Sequence, residues 1–223
     1  MPPQFSQPFL PLGFGLELLY TIIIVVFCFM VYFKTREIYE LTKHRGVEFF
    51  RYAFLFFGLA YASRLLIYMA VMGNLLWFEP FHGPRLMLPV SHLVMAYFST
   101  TAILFLTYST IWKRFSIEHF LMFCSITSLF VSVIAFISMS PLTVSLIQLV
   151  LLAVTLIFSL RVKTNKRNHM RALYFLIALF WLLSLFVIDS PRRHLPFWGD
   201  VTLQAISLLV FFAIVYKVYK WAK

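Results

Sequence analysis

Long apolar runs, each about one bilayer thick, alternate with short polar connections along nearly the whole chain. A membrane-spanning helix needs roughly 20 predominantly apolar residues. Seven stretches answer to that description, at about residues 16–33, 49–72, 86–111, 119–138, 142–160, 172–188 and 201–216. None shows the ten-residue apolar–polar alternation of a barrel strand, so each reads as a helix. The connections are short, which makes consecutive helices antiparallel neighbours, and almost nothing separates the fourth from the fifth around residues 139–141. The pattern predicts one all-α integral membrane domain over residues 1–223, a seven-transmembrane-helix bundle crossing the cell membrane repeatedly.

One polar residue interrupts these runs at depth. The second run contains FLFFGLAYASRLLIYMAVMG, residues 54–73, with Arg64 near its centre. An ionisable group inside a membrane is expensive and is a functional-site hypothesis by default. Arg64 stands about 12 Å below the outer end of its span at 1.5 Å per residue. Tyr61 and Tyr68, at i−3 and i+4, share its face and offer ring and phenol to the guanidinium. The outer half also holds Glu17 with Thr21 one turn deeper, Asp189 at the end of the sixth run, and Asp200 with Gln204 and Ser207 continuing its stripe. On the third run Arg85 and His92 share a face, with Ser99 two turns deeper.

Glu17, Tyr61, Arg64, Tyr68, His92, Gln148, Asp189, Asp200 and Gln204 are therefore the candidate ligand-binding residues. No catalytic residue is assigned. Each has a plainer reading. Asp200 after Gly199 fits a helix N-cap, Glu17 fits the headgroup region, and His92 fits a hydrogen-bonded core histidine. Arg64 divides evenly between a structural pair with a carboxylate and a place in a site. The serines of the fourth and fifth runs (Ser125, Ser128 and Ser132, then Ser145 and Ser159) fit helix packing. Gln148, near mid-membrane, is an amide that needs either a partner or a ligand.

Charge adds orientation. Fifteen Lys and Arg gather on one side, from Lys34 to Lys43 through Lys113 and Arg161 to Lys223, while only Arg85, Arg192 and Arg193 lie on the other. Basic loops mark the cytoplasm, so the N-terminus is outside and the C-terminus cytoplasmic. The residues 1–13 carry no Lys or Arg and so lack the basic n-region of a cleaved signal peptide. The net charge of +11 is then explained by anionic headgroups facing the cytoplasmic loops, and not by nucleic acid. The same basic loops offer a surface to a cytoplasmic partner protein. Composition closes the alternatives, because a soluble domain 62% hydrophobic and 12% charged would be one continuous apolar patch. Cys28 and Cys124 both fall within spans, where small hydrophobic packing suits them.

The first and last three runs echo one another. RYAFLFFGL from Arg51 can be laid on RALYFLIAL from Arg171, each after a basic loop containing a histidine, His44 or His169. Glu79-Pro80 and Asp189-Ser190-Pro191 follow the paired second runs. This gives a 3+1+3 parallel repeat with the fourth span as linker, an arrangement found in transporters. Topology alone imposes much of the same match.

Several chemistries lack their residues. A retinal Schiff base needs a lysine deep in the seventh span, and Lys217 falls at its edge. A zinc hydrolase of the ceramidase type keeps a His-x-x-x-His pair in its last span, which is absent here. His82, His92, His194, Glu17 and Asp189 are the residues that a metal would use in a membrane-embedded hydrolase, the last-ranked alternative, and no cofactor is assigned. The Pro-Gln of a PQ-loop transporter occurs only in the tail, at Pro3-Gln4.

The stretch YFKTREIYELTKHRGVEFFRYAFLFFGLAYASRLL, residues 32–66, resembles the opening hairpin of poorly characterised seven-helix membrane proteins of archaea. That resemblance implies a membrane-embedded, sensor-like bundle and brings no catalytic residues with it. Within it, Glu37, Glu40 and Lys43 fall at helical spacing, which predicts that the first span continues as a cytoplasmic helix closed by Gly46. Three functions follow in order: a receptor or sensor with an outward-facing polar pocket, a small-solute or ion transporter, and a non-catalytic scaffold or assembly factor.

Overall fold

The computed structural model describes the backbone of residues 11–76, 84–113, 115–138, 140–161, 167–189 and 197–222. Side chains are described at 15–66, 89–113, 115–138, 140, 142–161, 172–184, 198–199 and 201–220. Seven helices account for the apolar runs: α1 Pro11–Thr42, α2 Arg45–Leu76, α3 Pro84–Ile111, α4 Ile117–Ser138, α5 Pro141–Arg161, α6 Arg167–Asp189 and α7 Phe197–Ala222. Six of them are long and apolar enough to cross a membrane, while the described apolar stretch of α6, Ala172–Ser184, is shorter. The chain is thus a polytopic helical membrane protein.

Helix packing follows from where small and hydroxyl residues lie. In lipid there is no hydrophobic force between helices, so close approach and hydrogen bonds across the interface hold them together. α4 buries Phe120, Cys124, Ser128, Val131, Ser132 and Ala135, a stripe of mostly small side chains. Its opposite face exposes Met122, Phe123, Ile126, Phe130 and Ile137 to the lipid. Ser125 lies on that exposed face, so the serine stripe expected from spacing reduces to Ser128 and Ser132.

α3 is the hub of a second network. Gln148 of α5 donates to the Ser99 hydroxyl over 2.6 Å, and Thr107 meets Thr155 of α5 at 2.6 Å. Thr101 donates to Ser128 of α4 at 2.9 Å, and Ser109 pairs with the Tyr174 hydroxyl of α6 at 2.7 Å. Most of these hydroxyls also donate or accept locally along their own helix, so the pairs form with little polar surface left over.

The helices close into a ring in which α1 packs on α2, α2 on α3, α3 on α5, α5 on α6, α6 on α7 and α7 on α1. α4 sits outside that ring, against α3 and α5. Across the ring, the described backbones of α2 and α6 do not touch, and aromatic rings fill the gap. Phe57 reaches Trp181 at 4.3 Å and Phe180 at 5.6 Å between centroids, and Phe54 reaches Phe211 at 6.4 Å. Tilted and edge-on pairs of this kind suit the ring quadrupole.

The first hairpin shows why α1 and α2 stay close. Gly58 faces Cys28, and a Cβ on the glycine would stand 3.0 Å from the cysteine Cβ. Cys28 is fully buried there, a small side chain opposite no side chain at all. The expected helical continuation of α1 beyond its apolar run is present, with Lys34–Glu37 and Arg36–Glu40 pairs at 2.5 and 2.7 Å along it. Its end differs from expectation. Lys43, not Gly46, takes the left-handed conformation (φ 48°), and its N–H donates to the Tyr39 carbonyl at 2.7 Å. That is the single-bond left-handed cap. Gly46 lies in the first turn of α2, where the His44 ring nitrogen accepts its N–H at 3.1 Å. A Cβ at Gly46 would come within 2.9 Å of the Ser109 carbonyl, so the glycine serves the approach of α2 to α3.

Candidate functional site

Antiparallel packing stacks the polar residues near the N-terminal end of α1 into two layers. The lower layer contains Tyr20 of α1, Tyr61 of α2, Ser184 of α6 and Ser207 of α7. All four are nearly inaccessible. Ser207 donates to the Tyr20 hydroxyl at 2.8 Å and so ties α7 to α1. The Tyr20 and Tyr61 rings meet edge-on at 6.5 Å. The buried Tyr61 hydroxyl neighbours Tyr20 and Ser184 yet makes no hydrogen bond with a described residue. Ser184 donates to the Phe180 carbonyl at 2.9 Å.

The upper layer lies one turn further toward the N-terminal end of α1. Glu17 precedes Tyr20 by three residues on α1, Arg64 follows Tyr61 by three on the antiparallel α2, and Gln204 precedes Ser207 by three on α7. Arg64 donates through Nη2 to the Glu17 carboxylate, joining α1 to α2 by an ion pair. The two side chains keep 13% and 15% of their exposure, so the pair is largely but not fully desolvated. Gln204 is half-buried, and its amide makes no hydrogen bond with a described residue. Its backbone carbonyl accepts from Ser207 at 3.0 Å.

Below both layers the wall turns wholly apolar. Phe57, Phe180, Trp181 and Phe211 form the roof of a narrow cleft that continues past Ala53 and Phe54 to Ile177 and Ile214, with no polar atom lining it. Phe180 and Phe211 close to 4.5 Å between centroids. The axis of the ring therefore changes character over a few turns, from charged, to hydroxylated, to aromatic.

The other candidate residues sit elsewhere. Gln148 is buried in the α3–α5 interface and occupied by Ser99. His92 is half-buried on α3. Tyr68, Asp189 and Asp200 belong to α2, α6 and α7, and their side chains lie outside those described. Because α7 begins at Phe197, Asp200 is its fourth residue and not an N-cap. His82 and His194 fall outside the described residues.

Similarity to a known protein runs the full length of the chain. A protein of Archaeoglobus fulgidus, described as uncharacterized, is 32% identical over 231 residues, covering 99% of this chain and 99% of that protein. The chain belongs to that protein's family. No family model and no solved structure matches it. The similarity to that protein covers the chain from end to end, and residue roles in this family member rest on geometry.

Tyr20, Ser184 and Ser207 complete the lower layer, and only Ser207 stands out from sequence, as a continuation of the Asp200–Gln204 stripe. Tyr20 and Ser184 look like ordinary aromatic and small residues of apolar runs. Their signal was positional: Tyr20 is one turn from Glu17, as Tyr61 is from Arg64. A pair of acid and base on two helices, each with a tyrosine one turn inward, is a pattern that can be searched for.

Proposed function

We propose that this protein is a non-catalytic receptor or sensor, N-terminus outside, that takes a small anionic or zwitterionic solute between the outer ends of α1, α2 and α7. The observation that supports it best is the pairing of a partly accessible Glu17–Arg64 bridge with a Gln204 amide that no described residue occupies, in the same layer. An ion pair that keeps part of its exposure can exchange partners. A carboxylate or phosphate on the solute competes with Glu17 for the Arg64 fork, and an ammonium group competes with Arg64 for Glu17. The Gln204 amide supplies a donor and an acceptor for the neutral part of the solute.

Exchange at this bridge has a mechanical consequence. Glu17 is on the same helix as the charged cytoplasmic extension, Lys34 to Thr42, and a helix transmits displacement along its axis. Replacing the Glu17–Arg64 contact by ligand contacts frees α1 against α2 at the outer end, and the extension presents that change to a cytoplasmic partner. The ligand shifts the equilibrium only by its differential affinity for the two arrangements.

The experiment is a thermal-stability screen of small organic anions and zwitterions against the parent and Arg64→Ala. A solute that stabilises the parent and leaves Arg64→Ala unmoved supports the site. If every stabilising solute acts on both alike, the assignment to Arg64 fails.

A transporter is the second reading, favoured by the ring itself. In a 3+1+3 repeat the α3–α5 and α7–α1 contacts are equivalent and the fourth helix is a linker outside the ring, which matches the packing described above. Flux of sugars, amino acids or ions into proteoliposomes would favour that reading, and uniform impermeability would remove it.

A further inference from the structure

We propose that Arg51 is the centre of a second site, for a phosphate group, at the Lys43 end of the α1–α2 hairpin. The Arg51 side chain is nine-tenths buried, and its Nε is sealed from solvent without a hydrogen-bond partner. Among the described residues it forms no ion pair and no hydrogen bond. Three tyrosine rings surround it instead: Tyr32 at 5.0 Å, Tyr52 at 5.1 Å and Tyr39 at 5.3 Å from the guanidinium carbon to the ring centroids. The rings attract the cation by their quadrupoles and hold its plane, but a ring face satisfies none of the five N–H donors in the usual way. Burying a charge without a counter-charge is unfavourable, so a cation kept this way calls for an anion.

The neighbouring charges favour an anion of high charge. Tyr32, Arg36 and Tyr39 repeat at i, i+4 and i+7 and share one face of α1, and Lys43 follows just past its end. Lys43 stands 5.7 Å from the Tyr39 ring that Arg51 also approaches. Against these three cations the nearby acid is Glu40, already taken by Arg36 at 2.7 Å. Glu48, one turn before Arg51 on α2, makes no ion pair with it. Tyr32 and Tyr52 lie at the ends of the first two apolar runs, the depth at which lipid phosphates meet the protein. A guanidinium fork and an ammonium group suit tetrahedral phosphate oxygens, whether these belong to a phospholipid headgroup or to a soluble phosphate.

The two sources are separated with the full chain purified in a maltoside detergent. Thermal stability is followed on adding inorganic phosphate, phosphatidylglycerol in mixed micelles, or a phosphate-free galactolipid as control. The parent is expected to shift with phosphatidylglycerol, and with inorganic phosphate as well if the free anion is the ligand. Arg51→Met is expected to lose the shift, and Arg51→Lys, which keeps the charge but not the fork, to bind at least tenfold more weakly. No shift of the parent with either phosphate source overturns the proposal, as does a shift of the same size in parent and Arg51→Met. Should Arg51→Met not fold, an unchanged apparent affinity of Arg51→Lys overturns it equally.

Discussion

At the scale of single residues, the account rests on what a charge does when it leaves water. Arg64 is tolerated at depth because Glu17 meets it, and removing one member leaves the other largely desolvated without its counter-charge from that pair. Breaking a buried pair costs about 3–5 kcal/mol, whereas replacing both members by apolar groups is often near neutral. We therefore expect Glu17→Leu and Arg64→Leu each to be strongly destabilising in detergent, and the double substitution to be milder than their sum. A double-mutant cycle on reversible unfolding measures the coupling. Additive costs would mean that the pair does not act as a pair. Gln148→Leu tests the other polar interior: it breaks the bond to Ser99 and should cost on the order of 0.6–2 kcal/mol. It should leave solute stabilisation by the outer layer untouched.

At the scale of elements, length and hydropathy made all seven helices legible in the sequence, to within several residues at their ends. The ends were harder because capping is decided by local geometry. Gly46 carries the usual signature of a helix stop, yet the left-handed residue is Lys43, and the glycine answers a tertiary demand from the Ser109 carbonyl of α3. No sequence signal distinguishes these two uses of glycine. Gly46→Ala should accordingly lower stability by about 1–3 kcal/mol through overpacking against a backbone atom that cannot move alone. A melting temperature unchanged from the parent would place α2 and α3 further apart than described.

The candidate site was legible in the same partial way. Arg64 and Glu17 stand out because ionisable residues in apolar runs are rare, and helical spacing puts Tyr61 beside Arg64. Which acid Arg64 meets depends on helix order and rotation, which a linear pattern leaves undetermined among Glu17, Asp189 and Asp200. Tyr20 and Ser184 were hidden for a further reason. A tyrosine or serine in an apolar run is compatible with lipid, with core or with a site, and only packing separates these. Gln148 shows the reverse: conspicuous in sequence, it is accounted for by Ser99.

At the scale of the whole molecule, the ring is graded along its axis, from an ion pair at one end to aromatic packing in the middle and a basic rim at the other. In the orientation we propose from the positive-inside rule, the ion-pair end faces outside. Single cysteines introduced at Ser6 or at Lys223, in a background lacking Cys28 and Cys124, should report this orientation. A membrane-impermeant maleimide is expected to label the first in intact cells and the second only after permeabilisation. The reverse pattern would invert the receptor reading, because the polar layers would then open to the cytoplasm.

The central claim is that the layer holding Glu17, Arg64 and Gln204 is reached from outside while the aromatic level beneath it is closed. The most direct measurement compares the rate of labelling by an impermeant thiol reagent at Gln204→Cys and Phe54→Cys in that same background. The account predicts prompt labelling from the outside at position 204 and none at position 54. Equal protection of both positions, or access to position 204 only from the cytoplasmic side, would contradict it.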